Sequence, residues 1–235
     1  MVATTVRKCE IAENITFRFL PVIEKNAMLL HEFRIRFTVL TNEACIASYL
    51  KRVGLNAVQY ATTNMTLQCW EKFHHAWCLK RDALRYMTSL DGHLVFIDAD
   101  FLITSCHFPS LFKLQATDFH FAAAPQHASA RRLDMWNVRF NSGLFVMNAA
   151  HFSEHHFRRH FECWDEGDQI CLSKYITRYH DYVILPMYTH CRYATSDTSC
   201  LGNHRKSVLQ PEVARALFHK RTRRETARNG GSFLC

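Results

Sequence analysis

The chain has 235 residues, 48% of them hydrophobic and 13% aromatic, with only seven glycines and five prolines. That suffices for one buried core and excludes disordered, collagen-like and linker-like chains. Twenty-nine Lys and Arg against 21 Asp and Glu leave a net charge of +8, which favours polyanionic partners: nucleic acid, an anionic membrane or phosphorylated small molecules.

In chain order, residues 15–20 (ITFRFL) predict a short strand and 22–33 a helix. A second strand is predicted over 36–40, then a helix from 43 to 53 that stops at Gly54. Residues 56–60 form a third strand candidate. From 67 to 90 the period is helical, with Trp70, Phe73, Trp77, Leu84 and Met87 along one side. Asp91-Gly92 turns the chain into HLVFI at 93–97, an apolar run of the buried-strand kind. A short helix at 109–114 leads to a strand at 119–124, and LFVMN at 144–148 is the next strand. Helices over 149–163 and 169–179 and a strand at 182–185 complete the regular part. Residues 186–211 are polar and irregular and read as one long functional loop. Alternation of this kind predicts an α/β layered fold with a mostly parallel sheet.

Ten cysteines show no CxxC pair and no zinc-finger spacing, so they are expected to be small buried hydrophobes in a reducing compartment. The Asn-x-Thr sequons at Asn14 and Asn64 matter only for a secreted chain. No apolar signal core opens the sequence and no run approaches 18 apolar residues. The expectation is a soluble, cytoplasmic protein.

The glycine loops that cradle phosphates, GxGxxG and GxxxxGK[ST], are absent. Asp98-Ala99-Asp100, directly after HLVFI, offers another route to a nucleotide. In open α/β sheets ligands bind beyond the carboxyl ends of strands. Two carboxylates there repel and are poorly solvated, a cost that a divalent cation relieves. Mg²⁺ or Mn²⁺ takes oxygen ligands and shares them with substrate phosphates. The plain alternative is a solvated turn, or Asp98 as a helix cap.

Three more segments follow: Ala123-Ala124-Pro125, Phe140-Asn141-Ser142-Gly143, and Glu166-Gly167-Asp168-Gln169 at a helix start. With IDAD, these four resemble glycosyltransferase family 8, the glycogenin-like retaining enzymes of GT-A fold, in motif order and spacing across about 100 residues from Lys80 to Tyr179. The resemblance implies a single GT-A (Rossmann-like) domain over 1–220, with a mostly parallel central sheet flanked by helices, and a basic tail over 221–235. It implies metal ligands Asp98, Asp100 and His219, with His190 as a rival to the last. Donor contacts fall on Lys80, Asp98, Asn141, Ser142, Gly143, Asp165 and Lys220, and the catalytic role on Asp168 and Gln169. Lys80 sits two residues further from the DxD than the family's lysine, and a basic helix bearing Lys80, Arg81 and Arg85 is its plain alternative. The Gly and Pro-Trp of the family's late phosphate segment are missing around Phe218-His219-Lys220, and the predicted first strand ends in Leu20-Pro21 where the family has polar residues.

The implied activity is sugar transfer from a nucleotide-diphosphate donor, a UDP-sugar, to a carbohydrate or glycan acceptor, with Mn²⁺ or Mg²⁺ and with retained anomeric configuration. Neither a membrane span nor a nucleic-acid partner is expected, and the protein acts singly or as a homodimer. The alternatives are a metal-dependent nuclease or phosphotransferase built on the DAD and His219, and a nucleic-acid-binding module led by Lys220, Arg221, Arg223, Arg224 and Arg228.

Overall fold

A computed structural model describes residues 2–4, 9–73, 77–105, 107–116, 118–125, 139–161, 167–185 and 202–204. Its centre is a seven-stranded sheet in the order β3-β2-β1-β4-β7-β6-β8. The strands are β1 (Val2–Thr4), β2 (Val39–Thr41), β3 (Ala57–Gln59), β4 (His93–Asp98), β6 (Phe121–Pro125), β7 (Phe140–Asn148) and β8 (Tyr182–Ile184). Only β7 runs against the others, pairing antiparallel with β4 and β6, while the remaining four pairings are parallel. The sheet is thus mostly parallel, as expected.

Strand alternation divides the core in two. Val39, Val95, Ile97, Ala122, Ala124, Leu144 and Val146 face one side, and Leu40, Phe96, Phe121, Ala123, Phe145 and Met147 the other. The first side is covered by α1 (Cys9–Glu32), α2 (Ala44–Arg52) and a 3₁₀ segment at Phe108–Ala116. The second is covered by α4 (Trp77–Met87), α5 (Glu154–His160) and α6 (Asp168–Tyr179). Helices on both faces explain why strand interiors read as unbroken apolar runs.

Several expectations are corrected. Residues 15–20 are not a strand but part of α1, which runs through Pro21. Leu20, Ile23 and Leu30 recur at helical spacing and bury against the sheet, so the local alternation of ITFRFL loses to tertiary packing. The first strand is instead β1, which ends in Thr4. The helix expected over 67–90 is a pair, α3 (Asn64–Phe73) and α4. The helix expected over 149–163 shortens to α5, because Ser153 accepts a hydrogen bond from the His156 N–H and caps a new start there. FNSG, placed just before the strand LFVMN, is itself the first part of that strand, β7. Within the supposed loop 186–211, β9 (Gly202–His204) pairs antiparallel with β5 (Phe101–Ile103), the segment just after Asp100.

The cysteine reading is overturned. Cys69 and Cys78 are joined by a disulfide that links α3 to α4, and Cys45 and Cys171 each belong to a further disulfide. No described cysteine is free. No helix among the described residues is long and apolar enough to cross a membrane.

Histidines gather at the amino ends of β6 and β8, the pole opposite Asp98. His120 stacks on His151 at 4.0 Å, and His180 stacks on Phe152 at 4.1 Å with His120, His156 and Tyr175 around it. Neither ring nitrogen of His180 meets a hydrogen-bond partner among the described residues. Burial, then the neighbouring His120, His156 and His151, push its pKa down to about 4, against the pull of Asp181. A base depressed in the folded state is neutral there but takes a proton on unfolding. Stability is therefore complete above pH 6.5 and falls as the pH drops toward 4. The full shift corresponds to about 3 kcal/mol, and half-exposure reduces it to about 1–2 kcal/mol. Unfolding free energies from urea titrations at pH 7 and pH 5 should differ by roughly half that amount in the wild type, because pH 5 lies midway through the window, and by clearly less in His180→Phe. Equal differences would dismiss His180 as the source.

Candidate functional site

The site forms where β4 ends. Val95, Phe96 and Ile97 are buried, and Asp98, Ala99 and Asp100 emerge half-buried in the turn toward β5. Two groups set that turn. Buried Asn26 of α1 donates from Nδ2 to the Phe101 carbonyl at 2.7 Å and accepts from the Ile103 N–H at 2.9 Å. On the other side, β7 runs antiparallel with Ile97 opposite Leu144, so Gly143, Ser142 and Asn141 continue past the end of β4 beside Asp98.

Lys80, from α4, is 6% exposed, and its aliphatic stem has brought the ammonium through the second core to this point. Its Nζ lies 2.8 Å from Asp98 Oδ1 and 3.1 Å from Asp168 Oδ2, and donates to the Ser142 carbonyl at 2.5 Å. The Phe96 ring lies 4.9 Å beneath, adding a cation–π contact. An ammonium has three donors, and three acceptors surround this one. Burial pulls the Lys80 pKa down, but the charges of Asp98 and Asp168 outweigh it and hold it above its ordinary value. The basic-helix alternative, an exposed Lys80, is thereby excluded.

Asp168 opens α6 after Gly167, whose φ of 78° is left-handed and suits glycine. Its carboxylate accepts from Ser142 Oγ at 2.5 Å. Burial pushes the Asp168 carboxyl up, yet Lys80, Ser142 and the Gln169 backbone together hold it below the usual range. The start of α6 is latched to β7 by Ser173, whose hydroxyl donates to the Gln169 carbonyl at 2.6 Å and accepts from the Phe140 N–H at 2.7 Å. Asn141 Oδ1 accepts from the Gly143 N–H at 2.8 Å, which holds the strand end in shape.

Lys80, Asp98, Ser142 and Asp168 thus converge on one point, with Asp100, Asn141, Gly143 and Gln169 carried by the same short segments. Among the described residues these segments carry three carboxyl groups and one ammonium. Asp165, His219, Lys220 and the rival His190 lie outside the described residues. Among the described residues, no three His, Cys, Asp or Glu side chains form a group able to hold a metal. Sequence reading missed Asn26, Ser173 and Phe96, since a lone polar residue in a helix or a Phe in a strand carries no spacing signal. It also passed over His204, which by strand register stands opposite Phe101, one residue from Asp100.

No protein-family model and no curated protein sequence matches this chain. Solved structures do. The apo form of mouse xyloside xylosyltransferase 1 superposes with a TM-score of 0.52 at 11% identity, over 89% of this chain and 98% of that one. A glycosyltransferase involved in glycosylation of the major capsid of PBCV-1 gives 0.48 at 11% identity, over 93% and 98%. The mouse likeness is one of fold: the mixed α/β, GT-A-type architecture that the sequence predicted.

Proposed function

We propose that this chain is a glycosyltransferase that takes a sugar from a nucleotide-diphosphate donor, a UDP-sugar, with the help of Mn²⁺ or Mg²⁺, and passes it to a carbohydrate acceptor with retained configuration. The observation that carries this reading is the buried Lys80 ammonium, which gathers Asp98, Ser142 and Asp168 from three separate motifs at one strand end. In α/β sheets this is where ligands sit.

The donor set suits a hard divalent ion. Asp98 and Asp100 carry oxygen donors one residue apart, and such ions complete their shell with water and substrate phosphates rather than protein alone. When bound, the ion serves as a Lewis acid that neutralises charge growing on the departing diphosphate. A third ligand is sought in His219, His190 or His204. Lys220 and the basic residues after it suit the diphosphate, since Lys and Arg pair with phosphate oxygens. Asp168, kept ionised by Lys80 and Ser142, is the carboxylate to offset positive charge at the anomeric carbon. Asn141 and Gln169 suit the sugar hydroxyls, because an amide both donates and accepts.

A panel of UDP-, GDP- and dTDP-sugars tests this. UDP-xylose belongs in it, because the mouse structure is that of a xylosyltransferase. One donor with Mn²⁺ should raise the melting temperature by roughly 5–10 °C at a hundredfold excess over its Kd, and should be hydrolysed slowly. Neither response from any donor would end the proposal.

A further inference from the structure

We propose that Asn64 is an N-glycosylation acceptor and that this chain matures in an oxidising secretory compartment. Asn64-Met65-Thr66 is a sequon, and a sequon acts only where oligosaccharide transfer takes place. The disulfides supply the compartment. Cys69 and Cys78 are bonded within the same helical pair that Asn64 opens, and Cys45 and Cys171 each belong to a further disulfide. Disulfides persist in secreted and lumenal proteins and are rare where glutathione keeps thiols reduced.

The local geometry leaves Asn64 available. Asn at a helix start is usually its cap, but here Thr63 performs that role, accepting the Thr66 N–H at Oγ1 at 3.3 Å while itself fixed to Asp82. Asn64 is exposed in the first turn. Met65 and Leu67 beside it are 42% and 37% exposed, apolar surface that the first sugars of a glycan would cover. Thr66 is buried and accepts from the Thr63 hydroxyl, which is no obstacle because transfer acts on the chain before it folds. Asn64 follows β3, the outermost strand, which lies three spacings from β4, about 14 Å. The second sequon, Asn14, lies within α1.

In the reaction, Nδ2 of Asn64 forms a bond to C1 of the first sugar of a lipid-diphosphate-linked oligosaccharide. The C1–oxygen bond to diphosphate breaks, the lipid diphosphate leaves with the electron pair, and the amide loses one proton. No oxidation or reduction is involved.

The test expresses the full chain behind a cleavable secretory signal in cultured animal cells, and examines lysate and medium together. Peptide N-glycosidase should increase gel mobility by one glycan and convert residue 64 to aspartate in the peptide spectrum. Asn64→Gln should abolish both changes and retain the wild-type response to donor and metal, whereas Asn14→Gln should retain both changes. Alkylation of the denatured, unreduced chain should spare Cys45, Cys69, Cys78 and Cys171. An unmodified Asn64 in the wild type, or free thiols at Cys69 and Cys78, overturns the proposal. The result is independent of whether any nucleotide-sugar binds.

Discussion

Lys80→Met is expected to lower the melting temperature by about 5–10 °C and to reduce donor hydrolysis at least about a hundredfold. Removing one member of a buried charge cluster costs about 3–5 kcal/mol, because the partners stay buried without compensation. The carboxylates of Asp98 and Asp168 are 28% and 22% exposed, which lowers this to about 2–3 kcal/mol. At this chain length each kcal/mol moves the midpoint by about 2–4 °C. Acid unfolding gives an independent readout with a definite sign. In the wild type Asp168 is held below the usual carboxyl range, so its contribution is present above the unfolded value near 3.8 and is lost only as the pH falls through the lower folded value. In Lys80→Met, burial acts without its counterweight, Asp168 protonates more readily, and acid unfolding begins at a higher pH. Lys80→Arg should recover part of the stability and little of the activity, since a planar fork cannot meet three acceptors placed around a point charge. A Lys80→Met protein with unchanged melting and acid midpoints would show that the cluster holds nothing together.

Asp100→Asn and Asp98→Asn are each expected to cut Mn²⁺-dependent hydrolysis by about 10²–10³-fold, the scale of losing one well-placed electrostatic contact to a transition state. The two should differ in their secondary effects. Asp98→Asn also deprives Lys80 of a charged partner at 2.8 Å, so part of its loss follows from a disturbed Asp168. If Asp100 holds the ion as proposed, the defect of Asp100→Asn should shrink as Mn²⁺ is raised. Free Mn²⁺ measured by electron paramagnetic resonance in the presence of UDP separates the cases: both variants should leave more ion unbound than wild type. Full activity in both would remove the metal from the mechanism and leave Lys80 as the only cation at this pole among the charges described.

Much of this site was legible before any fold. HLVFI followed by Asp-Ala-Asp and Gly-Asp-Gln at a helix start are local patterns whose residue types suit a buried strand, a strand end and a helix opening, and both stand where they were expected, while FNSG joins LFVMN in one longer strand. The helical period of 67–90 placed Lys80 on a helix, but a helical lysine is ordinarily solvated, and its spacing alone does not say that this one points inward. Asn26 and Ser173 left no trace at all, because their partners lie 75 and 33 residues away.

The sequence by itself determined the layered α/β class, the strand end that carries the carboxylates, and the candidate residues on three motifs, since these depend on periodicity and residue chemistry over a few positions. Only the tertiary structure decided that residues 15–20 are helical, that the cysteines pair, and that Lys80 draws Asp98, Ser142 and Asp168 together. Each of those outcomes depends on contacts between distant segments: burial against a sheet, two thiols facing across a helical pair, an ammonium surrounded by acceptors from three elements. Local propensity, worth tenths of a kcal/mol per residue, yields to such contacts, worth several.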